Sequence, residues 1–239
     1  MLFQIVAFTI LLTILFFLSQ KIQTHIYNSL FIITKSKKFS IGVLLVLLLP
    51  GTIIHELSHF LIATILRVPT GELTVIPTIE KNEVKAGKLF LGATDPFRLS
   101  IIGLAPILIG LLLIYFTGKT FILNTDEIMK IFNSPLLLFV ICYLLNVVSL
   151  TMFSSKKDLQ GAIIAGPIIF FLLISLYMIG VRIFLDNSLI SKLITFLSDL
   201  NYYLLITAVF NFLIYLILSV NLSLWSRFLG TKNRGSSIH

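Results

Sequence analysis

The chain of 239 residues has a single cysteine, Cys142, and it sits inside an apolar run. No internal disulfide can form, and nothing about the redox compartment follows. Charge is also scarce. Asp, Glu, Lys and Arg make up 12% of residues, against about 25% in a typical soluble domain. Histidine occurs 4 times and acidic residues 10 times. So thin a polar inventory excludes a soluble, charge-coated domain. The net charge of +8 does not mark a nucleic-acid binder, because the lysines and arginines cluster at the ends of apolar runs, where they meet lipid headgroups. No basic residue precedes Lys21 and no small-residue cleavage site ends the first apolar run. That run is therefore expected to be a retained span and not a secretory signal.

Hydrophobic residues, in contrast, reach 57%, in long runs and not in stripes. The expected fold is an all-α polytopic membrane protein, one membrane-embedded domain over 1–239 with its core spans in 41–184. Six spans of roughly 20 residues are expected. They are Leu2–Ser19, Ile41–Leu66, Arg98–Phe116, Pro135–Phe153, Leu159–Phe184 and Tyr202–Trp225. A polar connection with Lys21, His25, Lys35, Lys37 and Lys38 joins the first two. An amphipathic stretch, Leu189–Leu200, leads into the sixth, and a polar basic tail fills 226–239. Residues 68–94 differ from the rest. Leu73, Val75 and Ile79 alternate with polar positions, a polar Glu80–Glu83 run follows, and Lys88–Leu91 resumes. This pattern predicts a β-hairpin outside the helices, with Pro77 placing its first strand at an edge.

The most informative stretch is PGTIIHELSHFLIATIL, residues 50–66. His55 and His59 stand at i and i+4, so a helix puts both imidazoles on one face, one turn apart. Their nitrogens can then reach a single Zn²⁺ at roughly 2.0–2.1 Å. Glu56 lies beside that metal and can act as general base toward water. An ionisable group near the bilayer centre costs about 2.5–3.5 kcal/mol, a cost usually tied to function. The plainer alternative is a polar cluster that hydrogen-bonds helices together. Pro50, one turn before the motif, removes a backbone hydrogen bond and is expected to kink the helix and open space near His55. The small residues Gly103, Ala105, Pro106 and Gly110 are expected to let the third span approach closely, as are Gly161, Ala162, Ala165 and Gly166 in the fifth.

Two histidines leave a catalytic zinc one protein ligand short. His25 falls in the first connection and His239 is the last residue, so a carboxylate is the better candidate. Asp158, between the fourth and fifth spans, falls by alternation on the side where the His55–His59 helix ends. Its ordinary alternative is to cap the fifth helix. Asp95, ahead of Pro96, is the runner-up, and capping of the third span is its ordinary role.

At these residues the sequence resembles the site-2 protease family of intramembrane zinc metalloproteases. His55, Glu56 and His59 match the family's H-E-x-x-H element. Asp158, followed by Leu159, Gln160 and Gly161, matches its downstream aspartate element loosely. Asn146 stands where the family has a substrate-holding asparagine, although Ser149 replaces the family's proline and the spacing to Asp158 is longer. The resemblance implies one zinc on His55, His59 and Asp158, Glu56 as the catalytic base, and a membrane-anchored protein as substrate. It implies that the 68–94 hairpin resembles a membrane-associated strand element able to pair with an unwound substrate. It also implies a multi-pass protein of the cell membrane, its site nearer the cytoplasm and its N-terminus inside. The four lysines of the first connection argue for the reverse orientation. Two other functions compete: a membrane-embedded peptidase acting on surface peptides, and a non-enzymatic metal-binding scaffold or transport component. An intact Glu56 favours an enzyme, since a structural zinc site needs no base.

Overall fold

A computed structural model of the chain describes residues 2–74, 78–80, 83–85, 88–121, 134–153, 171, 175, 178–179 and 186–228. The fifth expected span, Asp158, the small residues of 161–166 and tail residues 229–239 lie outside the described residues. The described residues are mostly helical. Helix α1 is Leu2–Thr34 and α2 is Lys37–Ile65. Four strands follow: β1 Thr70–Thr74, β2 Thr78–Glu80, β3 Glu83–Lys85 and β4 Lys88–Leu91. Then come α3 Pro96–Phe121, α4 Pro135–Thr151 and α5 Asn187–Phe228. Helices α1, α2, α3 and α5 are long and apolar enough to cross a membrane, whereas α4 has 17 residues. The chain is a helical membrane protein. Leucine, isoleucine and phenylalanine side chains along these helices are exposed, as expected where lipid is the solvent.

Two expected boundaries change. The polar connection after Ser19 is part of α1, which continues to Thr34. That stretch contains no glycine or proline, and its Ile22 and Tyr27 are buried. Packing of those two residues favours helix where the lysines suggested a loop. The amphipathic Leu189–Leu200 segment and the last span are likewise one helix of 42 residues, again without glycine or proline.

Only Lys35 and Ser36 separate α1 from α2. Lys35 takes the left-handed conformation, φ 54°, which ends α1. Ser36 then caps α2 by accepting the Phe39 N–H at 3.4 Å. At its other end α2 stops where Arg67 turns left-handed and the Val68 N–H reaches back to the Ala63 carbonyl at 2.9 Å. The strands form two antiparallel pairs, β1 with β4 and β2 with β3. The residues that would join them into the expected hairpin, 75–77, 81–82 and 86–87, lie outside the described ones.

One buried cluster gathers Leu15 of α1, Leu111 and Ile114 of α3, Met152 after α4, and Tyr203 and Leu204 of α5. A second joins Ile22, Leu48, Val147 and Leu150. Helices α1 and α5 lie side by side. The Asn201 amide donates to Gln4, in the first turn of α1, at 2.9 Å, and the His25 ring meets Tyr215 at 5.1 Å further along both helices. Both sequences ascend together, so α1 and α5 run in the same direction. In a chain of six alternating spans the last would oppose the first.

Candidate metal centre

The motif sits in the C-terminal half of α2. His55 and His59 are 5% and 8% exposed, and Glu56 is 9% exposed. Helix α2 runs unbroken through Pro50. The small polar side chains around the motif fold back on their own backbone. The Ser58 hydroxyl donates to the Ile54 carbonyl at 2.6 Å and Thr52 to Leu48 at 3.1 Å. Such back-bonding lets polar residues sit in an apolar bundle without an unsatisfied donor.

The two imidazoles face one another edge to face, 4.8 Å between ring centres. Their Nε2 atoms are 3.2 Å apart. The other nitrogen of His59, Nδ1, lies 2.8 Å from the backbone carbonyl oxygen of Ile102 on α3. A carbonyl only accepts, so Nδ1 carries the proton and Nε2 carries the lone pair. Without metal, that lone pair takes the Nε2–H of His55.

The same geometry fits a metal. Two nitrogens at this spacing, each about 2.0–2.1 Å from a common ion, subtend roughly 100–106° there, close to a tetrahedral angle. A carbonyl on the distal nitrogen is the outer support that metal-bound histidines usually have, because it fixes tautomer and ring plane. The donor set and its support therefore suit zinc.

Beside His55 lies a void of about 10 Å³, near the size that admits one water. Gly51 and Ile54 of α2, Pro106 and Gly110 of α3, and Val148, Thr151 and Met152 at the end of α4 wall it. A methyl group on Gly110 would come within 3.0 Å of Met152. Of the small residues expected to bring the third span close, Pro106 and Gly110 stand at this contact.

Asp158 lies outside the described residues. Among those described, no set of three His, Cys, Asp or Glu side chains is gathered to hold a metal. Asp95, the alternative ligand, caps α3. It is half exposed, accepts the Arg98 N–H at 2.9 Å and pairs with the Arg98 side chain at 3.2 Å. It is seven residues from Ile102, roughly 10 Å along the helix. Capping a helix whose first residue is Pro96 satisfies an orphan N–H, and that role holds it. His25 is no loop residue, for it lies within α1 against Tyr215. Asn146 donates to Asn211 of α5 at 2.7 Å, and Asn211 donates to Ser149 at 2.9 Å. Its amide therefore links α4 to α5. Sequence reasoning missed Ile102, whose contribution is a backbone carbonyl.

The fold and the paired histidines define a class, a helical membrane protein with a buried candidate metal centre. Beyond that class, the chain matches no family model, no curated protein and no solved structure.

Proposed function

We propose that this chain is an intramembrane zinc metalloprotease, similar to the site-2 proteases, that hydrolyses peptide bonds of membrane-anchored proteins. One observation carries the reading. His55 and His59 aim Nε2 atoms at each other across 3.2 Å, and His59 is braced by Ile102 from behind. That bond fixes the His59 tautomer and ring plane as the outer support of a metal-bound histidine does.

On this reading His55, His59 and Asp158 hold the zinc. Bound there, zinc supplies the positive charge that acidifies a water and polarises a peptide carbonyl. Glu56, next to His55 in sequence and buried, takes the water's proton and returns it to the leaving amine. Burial keeps bulk water away and leaves these charges poorly screened. The strands of Thr70–Leu91 pair only in twos among the described residues, and an unwound substrate can add to such an edge. A continuous 68–94 hairpin and a cytoplasm-facing site at the cell membrane belong to the same family reading.

The test is metal content by mass spectrometry of detergent-purified protein. Wild type is expected to hold about one zinc per chain, and His59→Ala and Asp158→Ala far less. Glu56→Gln should keep its zinc and lose turnover by about 10²–10⁴-fold. Wild-type protein that holds no metal after gentle purification would sink the proposal. Glu56→Gln that keeps full activity would remove the protease mechanism and leave only a metal-binding scaffold.

A further inference from the structure

The Ile102 carbonyl that braces His59 has a particular position in α3. In a regular α-helix the carbonyl of residue i accepts the N–H of residue i+4. For Ile102 that residue is Pro106, which has no N–H. A proline ring also crowds the carbonyl four residues before it and tilts it away from the helix axis. Ile102 is 1% exposed, so no solvent reaches the orphaned oxygen. A buried carbonyl left without a donor is destabilising, because its hydration is lost and nothing replaces it. The imidazole of His59, 2.8 Å away on the neighbouring helix, supplies the donor.

We infer that Pro106 is a positioning residue of the candidate metal centre: by withholding its helical N–H it reserves the Ile102 carbonyl for His59 Nδ1–H. The consequence for His59 is specific. Its proton is held on Nδ1, so Nε2 presents a lone pair toward His55. With an N–H at position 106, the carbonyl would have an intrahelical donor competing with His59. Sharing that oxygen would hold His59 less firmly in the Nδ1–H form, and a proton carried on Nε2 would block a metal. The same proline lines the void beside His55, so one residue both shapes the contact between α2 and α3 and sets the tautomer across it. This inference rests on the zinc reading for its consequence and on geometry alone for its cause.

The experiment separates the two. Protein labelled with ¹⁵N at histidine is prepared metal-free in detergent, and the imidazole nitrogen shifts report the His59 tautomer. Wild type is expected to show the Nδ1–H form, and the Nε2–H form there overturns the inference without any mutant. Pro106→Ala is expected to lose the fixed Nδ1–H form and to bind added Zn²⁺ about 10–100-fold more weakly, the usual cost of removing outer support from a metal ligand. Pro50→Ala, which restores an N–H elsewhere, should leave the His59 tautomer unchanged. A Pro106→Ala protein that keeps the Nδ1–H form and wild-type zinc affinity overturns the inference. Wild-type protein that takes up no zinc defeats the metalloprotease reading, and the tautomer measurement then decides the role of Pro106 by itself.

Discussion

Gly51 shows how little room the candidate centre leaves. A Cβ at this position would lie 2.6 Å from Val147 Cγ1 and 2.8 Å from the Val147 carbonyl, and would also press on the Thr151 hydroxyl. Only a residue without a side chain lets α2 and α4 meet here, one turn before His55. Gly51→Ala is therefore expected to destabilise the protein by about 1–3 kcal/mol through overpacking. Gly42, on the same helix, has nothing within 4 Å of its Cβ position. Gly42→Ala should be neutral or stabilising by up to about 1 kcal/mol, from helix propensity alone. Unfolding of both variants by SDS titration in mixed micelles checks the contrast. Equal effects would show that close approach at Gly51 does not limit packing.

At the scale of elements, α4 is held through polar contacts at its C-terminal end. Asn211 is fully buried and joins Asn146 to Ser149 across the α4–α5 interface. The Gln23 side chain of α1 donates to the Leu150 carbonyl at 2.8 Å. Within a bilayer helices gain little from hydrophobic contact with each other, so packing and such bonds decide their partners. A double-mutant cycle of Asn146→Ala with Asn211→Ala is expected to give a coupling of about 0.6–1.7 kcal/mol. A coupling near zero would mean that the two amides find equivalent partners in the unfolded state.

For the whole molecule, the parallel course of α1 and α5 has a direct consequence. The end of α5 lies on the face where α1 ends, and its start lies on the face where α1 begins. The two-residue turn at Lys35 and Ser36 sends α2 back, so Arg67 returns to the starting face. In a background of Cys142→Ala, single cysteines at Arg67 and Ser188 should be labelled by an impermeant maleimide from one face of sealed vesicles. Lys37→Cys should be labelled only from the other. Six alternating spans would instead pair Ser188 with Lys37. A second whole-molecule measurement is thermal. Zinc at about 100 times its Kd should add about 2.7 kcal/mol to stability, and His59→Ala should abolish the gain. An equal rise in Tm for both proteins would mean that zinc acts elsewhere.

The sequence by itself determined the solvent and the placing of both histidines on one helix face. Hydropathy is a property of each residue, and summed over a run it states that the run belongs in lipid. The H-E-x-x-H spacing is local, and helical geometry converts it to one face without help from the rest of the chain. Tertiary structure decided what depends on neighbours. It extended α1 through Lys21 because Ile22 and Tyr27 found partners, and it merged Leu189–Leu200 with the last span. It assigned Asp95 to Arg98 through a short capping bond at the start of α3. It chose the direction of α5 relative to α1, which loop composition leaves open. Most of all it selected Ile102, whose carbonyl is the same atom that every residue carries. Pro106 was visible as a missing donor in the third span, but the donor that replaces it stands 47 residues earlier on another helix, and only packing brings the two together.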